Sequence, residues 1–512
     1  MDRFKLLPVR AGCLIVLLSL GAPWLQAADK PATAGAGGKP QHVQQVTRPA
    51  RPDDALRFNY GRFGEVAVYQ PAGKPTGVTL FVSGDGGWNL GVIDMAHHLV
   101  EQGSVVVGID IRHYRNVLNE PSSSCQYFGS DFENLSHEVQ QRLKLPEYLL
   151  PVMVGYSSGA TLVYAVALQA PKGTFAGVMS LGFCPDLDLV QPICRTNGLE
   201  YDVQRARPRA GAAPSDNDPV KGVLFRTSTT NSTPWVVFQG DIDEVCNPPE
   251  TRDFVNKTRN GMLVWLPKVG HGYSVERNWL PQFLQNYHSL ATAALTPATP
   301  VAAEVRDLPV VEVPAKGQAD TSTSNLYAVL LTGDGGWAGL DQDIADSLAT
   351  RGIPVVAINS LKYYWKARDP AAAAADLQRV IQHYGRQWNR SKLLLIGYSF
   401  GADVLPYLYN RLPAATREAV VSTNLLGLSA NATFEFHVSS WIPGSGSSGY
   451  PTVPEIGRMG SAKLLCLQGA DEDDSSCASL RGANIKTVKL PGGHHFGGDY
   501  AALARQILDF AD

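Results

Sequence analysis

The chain has 512 residues, of which 44% are hydrophobic and 18% are charged. This length exceeds the needs of one ordinary core, and the composition is that of a globular protein. A net charge of −3 gives no support for binding to nucleic acid. No apolar run beyond the N-terminal region is long enough to predict a membrane-spanning helix.

The N-terminus is typical of a secretory signal. Positive residues precede an apolar segment at 11–20, and Ala27 offers a small side chain before a cleavage point near Ala28. We therefore predict a signal peptide over 1–27, export to the periplasm and no transmembrane segment in the mature protein. Residues 28–54 are rich in Ala, Gly, Pro, Lys and Gln, which predicts a disordered lead-in.

The rest of the chain repeats one plan twice. VTLFVSGDGGWNLGVIDMAHHLVEQGSVVVGID in the first half corresponds to YAVLLTGDGGWAGLDQDIADSLATRGIPVVAINS in the second. Both read as strand, Gly-rich turn, helix, turn and strand, and fully apolar strands alternating with helices predict a mostly parallel sheet covered on both faces. The low-complexity stretch ATAALTPATPVAA between them predicts a linker. We place the domains at 55–293 and 304–512, with the linker at 294–303.

Each half then has a short apolar strand that ends in G-x-S-x-G. These strings are GYSSG around Ser157 and GYSFG around Ser399. The glycines allow a sharp turn from strand into helix, which leaves the serine exposed at the helix N-terminus. The two serines are the predicted nucleophiles.

A catalytic serine needs a histidine base and an acid that orients it. In the first half, Asp243 follows the strand WVVFQG by three residues, and His271 follows the strand MLVWLP. The chain order serine, acid, histidine is that of the α/β-hydrolase fold. We therefore predict an α/β protein with two tandem α/β-hydrolase domains.

In the second half, two residues are candidates for each of the two partners of Ser399. His495 stands at the same offset from a Leu-Pro pair as His271 does, with His494 beside it, and we favour His495. Counting forward from the preceding strand gives Glu472 as the acid, whereas counting back from a cysteine shared by the two halves gives Asp474. Asp474 is the first choice and Glu472 the alternative.

The oxyanion hole is expected to use backbone N–H groups from two places. One is the residue after each serine, and the other is the GDGGW loop after the early strand, where glycine permits close approach to a substrate. The predicted oxyanion and substrate-binding residues are Ser158, Asp85 and Gly86 in the first half and Phe400, Asp334 and Gly335 in the second.

Six cysteines follow the predicted signal peptide, an even number that suggests disulfides in an exported protein. Cys466 and Cys477 are the only two beyond residue 250, so we predict that they are bonded. The other four allow three pairings. Cys184–Cys194 is the most local of the combinations, and the choice among the pairings stays open.

Several strings give the sequence a family resemblance. GDGGW, GYSFGADVLPYLYNRLP and LPGGHHFGGDY in the second half, and GYSSGATLVYAVALQAP in the first, resemble the VirJ/AcvB family of bacterial periplasmic virulence proteins. The resemblance implies hydrolysis of the lysyl or alanyl ester of aminoacyl-phosphatidylglycerol, a membrane phospholipid, at the outer face of the inner membrane. Short members correspond to the second half alone, which favours Ser399 and His495 as the working pair.

This chemistry requires no cofactor and no metal ion. The substrate's cationic amine favours nearby carboxylates, and Asp334, Asp403 and Asp499 are candidates from their positions. Two alternatives remain from the sequence. One is a non-catalytic accessory protein that contacts secretion-system components, and the other is a general carboxylesterase or peptidase.

Overall fold

The structure is a computed structural model that describes residues 54–196, 198–206, 215, 217–295, 302–318, 321, 323–437 and 449–511. The predicted signal peptide and nearly all of the predicted lead-in lie outside the described residues, as do residues 296–301 of the predicted linker.

The first half contains one eight-stranded sheet and a small three-stranded sheet. Its strands are β1 (Leu56–Tyr60), β2 (Gly64–Tyr69), β3 (Gly77–Val82), β4 (Ser104–Ile109), β5 (Val152–Tyr156), β6 (Gly177–Leu181), β7 (Asp186–Leu187), β8 (Tyr201–Arg205), β9 (Val220–Phe225), β10 (Trp235–Gly240) and β11 (Gly261–Leu266). Its helices are α1 (Leu90–Glu101), α2 (Ile111–Leu118), α3 (Gly129–Arg142), α4 (Ser158–Gln169), α5 (Pro248–Lys257) and α6 (Leu280–Leu295).

The second half contains a seven-stranded sheet and a short two-stranded one. Its strands are β12 (Val310–Val313), β13 (Leu326–Leu331), β14 (Val355–Ile358), β15 (Lys392–Tyr398), β16 (Val420–Leu426), β17 (Asn431–Ala432), β18 (Tyr450–Pro451), β19 (Leu464–Gly469) and β20 (Ile485–Leu490). Its helices are α7 (Gly339–Ala349), α8 (Ser360–Tyr363), α9 (Pro370–Gln387), α10 (Phe400–Tyr409), α11 (Ala414–Ala419), α12 (Thr452–Gly457) and α13 (Tyr500–Ala511).

The two large sheets have matching strand orders. The first is β1-β2-β4-β3-β5-β6-β10-β11, and the second is β12-β14-β13-β15-β16-β19-β20. The antiparallel pairs of these two sheets are β1–β2, β2–β4 and β12–β14, and the remaining pairs are parallel. The predicted fold, two mostly parallel α/β sheets with helices on both faces, is confirmed. Since consecutive parallel strands end at the same edge, loops far apart in sequence meet there.

The apolar strands are buried because each sheet is packed on both faces. Every residue of β3, β4, β13 and β19 is buried. Neighbouring residues alternate between opposite cores: Leu80 and Val82 pack into one cluster, and Phe81 packs into the other. This double burial explains why the strands read as continuous apolar runs rather than as alternating patterns.

The two halves also contact each other. The indole N–H of Trp365 donates to the carbonyl of Leu145 over 2.8 Å, and the amide of Gly339 donates to the carbonyl of Lys172 over 3.0 Å. Both large sheets therefore belong to one compact unit. The exact domain boundaries remain a prediction. In the described part of the chain, no helix combines the length and apolar character needed to cross a membrane.

Candidate active sites

Both predicted nucleophiles lie at a turn from strand to helix. Ser157 connects β5 to α4, and Ser399 connects β15 to α10. Each serine has a positive φ angle, 56° for Ser157 and 50° for Ser399, a backbone conformation that residues other than glycine rarely adopt. Strain at a serine that projects from the carboxyl edge of a parallel sheet is typical of a nucleophile elbow.

The glycines of the elbow are required by close packing. A β-carbon on Gly155 would lie 2.2 Å from the carbonyl oxygen of Gly159, and one on Gly159 would lie 2.3 Å from the carbonyl oxygen of Ser83. The second elbow repeats this arrangement, with 2.5 Å at Gly397 and 2.2 Å at Gly401. The helix therefore starts directly against the strands, which holds each serine at the sheet edge.

The first half brings its three predicted residues together. The Nε2 atom of His271 lies 2.9 Å from the Oγ atom of Ser157. The Nδ1 atom of His271 lies 3.0 Å and 3.1 Å from the two carboxylate oxygens of Asp243. Each contact has hydrogen-bond geometry, so the serine, the histidine and the acid form a connected triad.

Asp243 is held as a carboxylate. Burial acts to raise its pKa, but hydrogen bonds from His271 and from the amides of Cys246 and Val245 outweigh burial and keep the pKa below its usual value. Asp243, Cys246 and His271 each have an atom that could bind a metal ion, and these three atoms lie within 4.8 Å of one another. They do not form a metal site, because Cys246 is bonded to Cys184 and the other two bond each other.

The second half contains an equivalent triad. The Nε2 atom of His494 lies 2.9 Å from the Oγ atom of Ser399, and the Nδ1 atom of His494 bonds the carboxylate of Glu472. The Glu472 side chain is 6% exposed, and its other oxygen accepts the amide of Gly469 over 3.0 Å. This second carboxylate is therefore fixed on both of its oxygens.

The prediction that His495 faces Ser399 is wrong. His271 follows Leu266 by five residues, but His494 follows Leu490 by only four, because this loop is one residue shorter in the second half. His495 is instead exposed and begins the short 3-10 turn that follows. Counting from the Leu-Pro pair therefore gave the wrong neighbour.

The preference for Asp474 is also wrong, and the alternative Glu472 occupies the acid position. Asp474 is exposed, whereas Glu472 hydrogen-bonds the histidine. The tight turn after the strand is the same in both halves, since the amides of Asp243 and Glu472 each bond the carbonyl three residues earlier. The cysteines used for counting back are not equivalent, because Cys246 bonds Cys184 and Cys477 bonds Cys466.

Electrostatics in the second triad favour a charged histidine. Burial opposes the positive form of His494, but the hydrogen bond and charge of Glu472, together with the charges of Asp334 and Asp474, raise its pKa above the usual value. Burial likewise acts to raise the pKa of Glu472, but the hydrogen bonds from His494 and Gly469 keep it low. The pair is arranged to stabilise an imidazolium next to a carboxylate.

The cysteine pairings partly differ from expectation. Cys466–Cys477 is confirmed. The local pair Cys184–Cys194 is wrong, since the structure bonds Cys125 to Cys194 and Cys184 to Cys246. A bridge between Gln126 and Ile193 brings the segments of Cys125 and Cys194 together, and Cys184 follows β6 beside the loop of Asp243. Sheet order rather than sequence distance determines which sulfurs meet.

The GDGGW loops lie against the serines. A β-carbon on Gly84 would lie 2.9 Å from Cβ of Ser157, and one on Gly333 would lie 3.5 Å from Cβ of Ser399. The predicted residues after the nucleophiles, Ser158 and Phe400, are the first residues of α4 and α10. Their amides belong to a first helical turn, where N–H groups have no partner inside the helix.

The loop residues next to these glycines differ in their surroundings. Asp85 and Gly86 line a cleft of about 510 Å³ that also contains Ser157 and His271. In the second loop, a β-carbon on Gly335 would lie 3.4 Å from a carboxylate oxygen of Glu133, which belongs to the first half. The first serine therefore opens onto a cleft, and the second has a residue of the other half close to its loop.

The three carboxylates suggested for a cationic amine lie in different places. Asp334 is half-buried in the second GDGGW loop. Asp403 is 8% exposed and accepts the amide of Ser429 over 2.7 Å. Asp499 has a largely exposed side chain that accepts the amide of Ala502 at the start of α13. Asp499 acts as a helix cap.

Sequence reasoning missed the tyrosine that precedes each serine. The hydroxyl of Tyr156 donates to the carbonyl of His271 over 2.9 Å, and the hydroxyl of Tyr398 lies 3.4 Å from the carbonyl of His494. Both strings read GYS, so the repetition itself was an available signal. Glu133 carried no comparable signal, because its neighbour Gly335 is some two hundred residues away in the chain.

The parallel sheets, the strained serines and the two bonded triads define an α/β serine hydrolase. The chain belongs to the family of the bacterial virulence protein VirJ, whose family model matches residues 76–182 and 325–512, more than half of the chain. The two matched segments include both GDGGW loops and both serine elbows.

Several solved structures are similar to about half of the chain. Est1E from Butyrivibrio proteoclasticus is 12% identical over 47% of this chain and 99% of its own, with a TM-score of 0.30. XC6422 from Xanthomonas campestris, described as a serine hydrolase without a lid, is 21% identical. The match covers 49% of this chain and 100% of XC6422, with a TM-score of 0.28. The esterase domain of a Rhodothermus marinus protein is 15% identical. The match covers 46% of this chain and 96% of that domain, with a TM-score of 0.30. No curated protein matches the chain.

Proposed function

We propose that the second site hydrolyses the aminoacyl ester of aminoacyl-phosphatidylglycerol, with Ser399 as nucleophile, His494 as base and Glu472 as the orienting acid. The observation that carries this proposal is the 2.9 Å contact between Nε2 of His494 and Oγ of Ser399, with Glu472 on the other ring nitrogen. This is the arrangement that activates a serine toward an ester carbonyl.

The reaction has two steps. Oγ of Ser399 attacks the ester carbonyl while His494 takes its proton, and the bond to the glycerol oxygen of phosphatidylglycerol then breaks as His494 returns the proton to that oxygen. A water molecule next gives a proton to His494 and attacks the carbonyl of the aminoacyl-serine ester. The bond to Oγ of Ser399 then breaks as His494 returns the proton to that oxygen, which releases the free amino acid. Glu472 keeps the imidazole in place and stabilises its charged form throughout.

Negative charge on the carbonyl oxygen requires N–H donors. The amide of Phe400 and the amides of Asp334 and Gly335 are our candidates, since α10 and the GDGGW loop both begin beside Ser399. One such donor contributes roughly 3 kcal/mol to transition-state stabilisation.

The substrate class is supported by three observations. The chain belongs to the VirJ family, its second half carries GYSFGADVLPYLYNRLP and LPGGHHFGGDY, and Asp334 lies close enough to His494 to affect its pKa. An aminoacyl ester carries an ammonium group, which favours carboxylates near the serine. The three disulfides are consistent with an exported protein. We propose the outer face of the inner membrane as its place of action and secretion-system components as further partners.

The experiment is a comparison of substrates. The protein without residues 1–27 is mixed with vesicles that contain lysyl- or alanyl-phosphatidylglycerol, and free amino acid and free fatty acid are both measured, with a dipeptide as a further substrate. We expect amino acid alone to be released. Fatty-acid release from unmodified phosphatidylglycerol would indicate a general carboxylesterase, dipeptide cleavage a peptidase, and no turnover at all an accessory role.

The first site supports a second function, a separate esterase activity. Its triad is complete, and its cleft of about 510 Å³ is large enough for a small ester. The test uses Ser399→Ala protein with a panel of small p-nitrophenyl esters. We expect hydrolysis that disappears when Ser157→Ala is added, and equal rates in the two proteins would contradict this activity.

A further inference from the structure

The two GDGGW loops have the same sequence but different neighbours. Asp85 and Asp334 occupy the same position of the loop. Asp85 forms an ion pair of 2.8 Å with Arg115. The side chains of Ser83 and Thr332 accept the amides of Ile111 and Ser360, which aligns the following helices. In that alignment Arg115 corresponds to Tyr364.

Two more positions change from neutral to acidic. Counted from the GDGGW loops, Val92 corresponds to Asp341. Counted from the serines, Thr161 corresponds to Asp403. Both aspartates are buried, at 3% and 8% exposed, and burial together with the charge of Asp334 raises the pKa of each well above its usual value. The second half therefore has buried carboxyl groups at two positions where the first half has neutral side chains.

The first half places one further carboxyl group beside the second GDGGW loop. Glu133 lies on α3, and its Oε1 atom is 3.4 Å from where a β-carbon of Gly335 would be. Burial and the charge of Asp334 raise the pKa of Glu133 to about 8. The contacts of Trp365 with Leu145 and of Gly339 with Lys172 hold this part of the first half against the second.

One atom in the group has no partner within the described residues. The Oδ1 atom of Asp341 is buried without a hydrogen bond. The same carboxyl hydrogen-bonds the amide of Gly333, so it lies directly beside the loop that contacts Ser399. Buried carboxyls that raise one another's pKa are costly in isolation, and a cation among them removes that cost.

We infer that Glu133 and Asp334 bind the ammonium group of the acyl part of the substrate, so that the second active site is completed by a residue of the first half. Asp341 and Asp403 are buried carboxyls close enough to Asp334 for its charge to raise their pKa values. The inference rests on the proposed function of the Ser399 site and extends it to acyl specificity.

The test uses two soluble esters with the same leaving group, alanine p-nitrophenyl ester and its N-acetyl derivative, in protein that carries Ser157→Ala. The measured quantity is the ratio of kcat/KM for the free-amine ester to that for the acetylated ester. We expect Glu133→Gln to lower this ratio about tenfold, since a hydrogen bond to a charged group is lost. The control Glu138→Gln, on the same helix but paired with Arg142, should keep the wild-type ratio. An unchanged ratio in Glu133→Gln would overturn the inference.

A binding measurement removes the dependence on turnover. Alaninamide carries the ammonium group but no ester, and its affinity can be measured by calorimetry with protein in which both serines are alanine. We expect Glu133→Gln to weaken binding about tenfold. Equal affinity with and without Glu133, or no binding at all, would overturn the subsite. If alaninamide binds through Glu133 but aminoacyl-phosphatidylglycerol is not hydrolysed, the proposed function fails and the subsite stands.

Discussion

The hydroxyl of Tyr398 lies 3.4 Å from the carbonyl oxygen of His494, as that of Tyr156 lies 2.9 Å from the carbonyl oxygen of His271. Each tyrosine directly precedes a serine, so one short segment positions both the nucleophile and the backbone of its base. The glycine beneath each histidine ring repeats as well, since added β-carbons on Gly182 and Gly427 would meet His271 and His494 respectively. These contacts make His494 the counterpart of His271.

This equivalence predicts different outcomes for adjacent histidines. His494→Ala should reduce ester hydrolysis at the second site by about 10⁴-fold or more, because the members of a triad act as a unit. His495→Ala should have a mild effect, because His495 is exposed and does not reach Ser399. Steady-state rates in Ser157→Ala protein check this, with folding followed by circular dichroism. A greater loss in His495→Ala than in His494→Ala would contradict the geometry.

The two candidate acids, Glu472 and Asp474, should also differ in how much activity depends on them. Glu472→Gln keeps the shape of the side chain but removes the charge next to His494, and we expect turnover to fall between about 10²- and 10⁴-fold. Asp474→Asn is the matched control, because Asp474 is exposed and does not bond the histidine. Its rate should stay within about twofold of the wild type, the range of a surface substitution. Equal losses in both variants would argue against Glu472.

The dependence of the second site on pH follows from the same pair. His494 must be neutral to accept the serine proton, so kcat/KM should fall as the pH drops through the pKa of His494. This pKa is raised, chiefly by Glu472 acting against burial, so the fall should begin at a higher pH than an ordinary histidine would give. Glu472→Gln removes the charge while burial remains, so the midpoint should move to lower pH. A midpoint that stays in place or rises would show that Glu472 does not control the base.

The disulfide Cys184–Cys246 should matter to the first site in particular. Cys246 donates its amide to Asp243, so the bond fixes the loop that holds the acid. Replacing both cysteines by serine should lower esterase activity at Ser157 more than the same change at Cys125 and Cys194. Peptide mapping without reduction should recover the three bonds described above. Recovery of Cys184 bonded to Cys194 would contradict the structure.

The sequence was sufficient where one local pattern determined the answer. Both serine elbows, the repeated parallel sheets and the acid and base of the first half follow from short strings read in chain order. Which loop residue occupies a given place in the site could not be predicted from such strings. A single residue fewer between Leu490 and His494 changed which histidine faces the serine, and the packing of the His494 ring against Gly427 shows which one it is.

Contacts between distant segments were beyond any single-sequence pattern. The bond of Cys125 to Cys194 depends on a bridge between loops, and the approach of Glu133 to Gly335 depends on how the two halves pack. The charged neighbours of a residue are likewise not visible in the sequence. Asp85 and Asp334 look the same in sequence, but only Asp85 lies beside Arg115.

The most direct test of the account compares the two serines on one substrate. Release of amino acid from lysyl- and alanyl-phosphatidylglycerol vesicles is measured for wild type, Ser399→Ala and Ser157→Ala. We expect Ser399→Ala to lose about 10⁶-fold in turnover, since a triad without its nucleophile retains little activity. Ser157→Ala should keep most of the wild-type rate. Loss of lipid hydrolysis in Ser157→Ala with retention in folded Ser399→Ala would reverse the assignment, and full activity in both variants would contradict the mechanism.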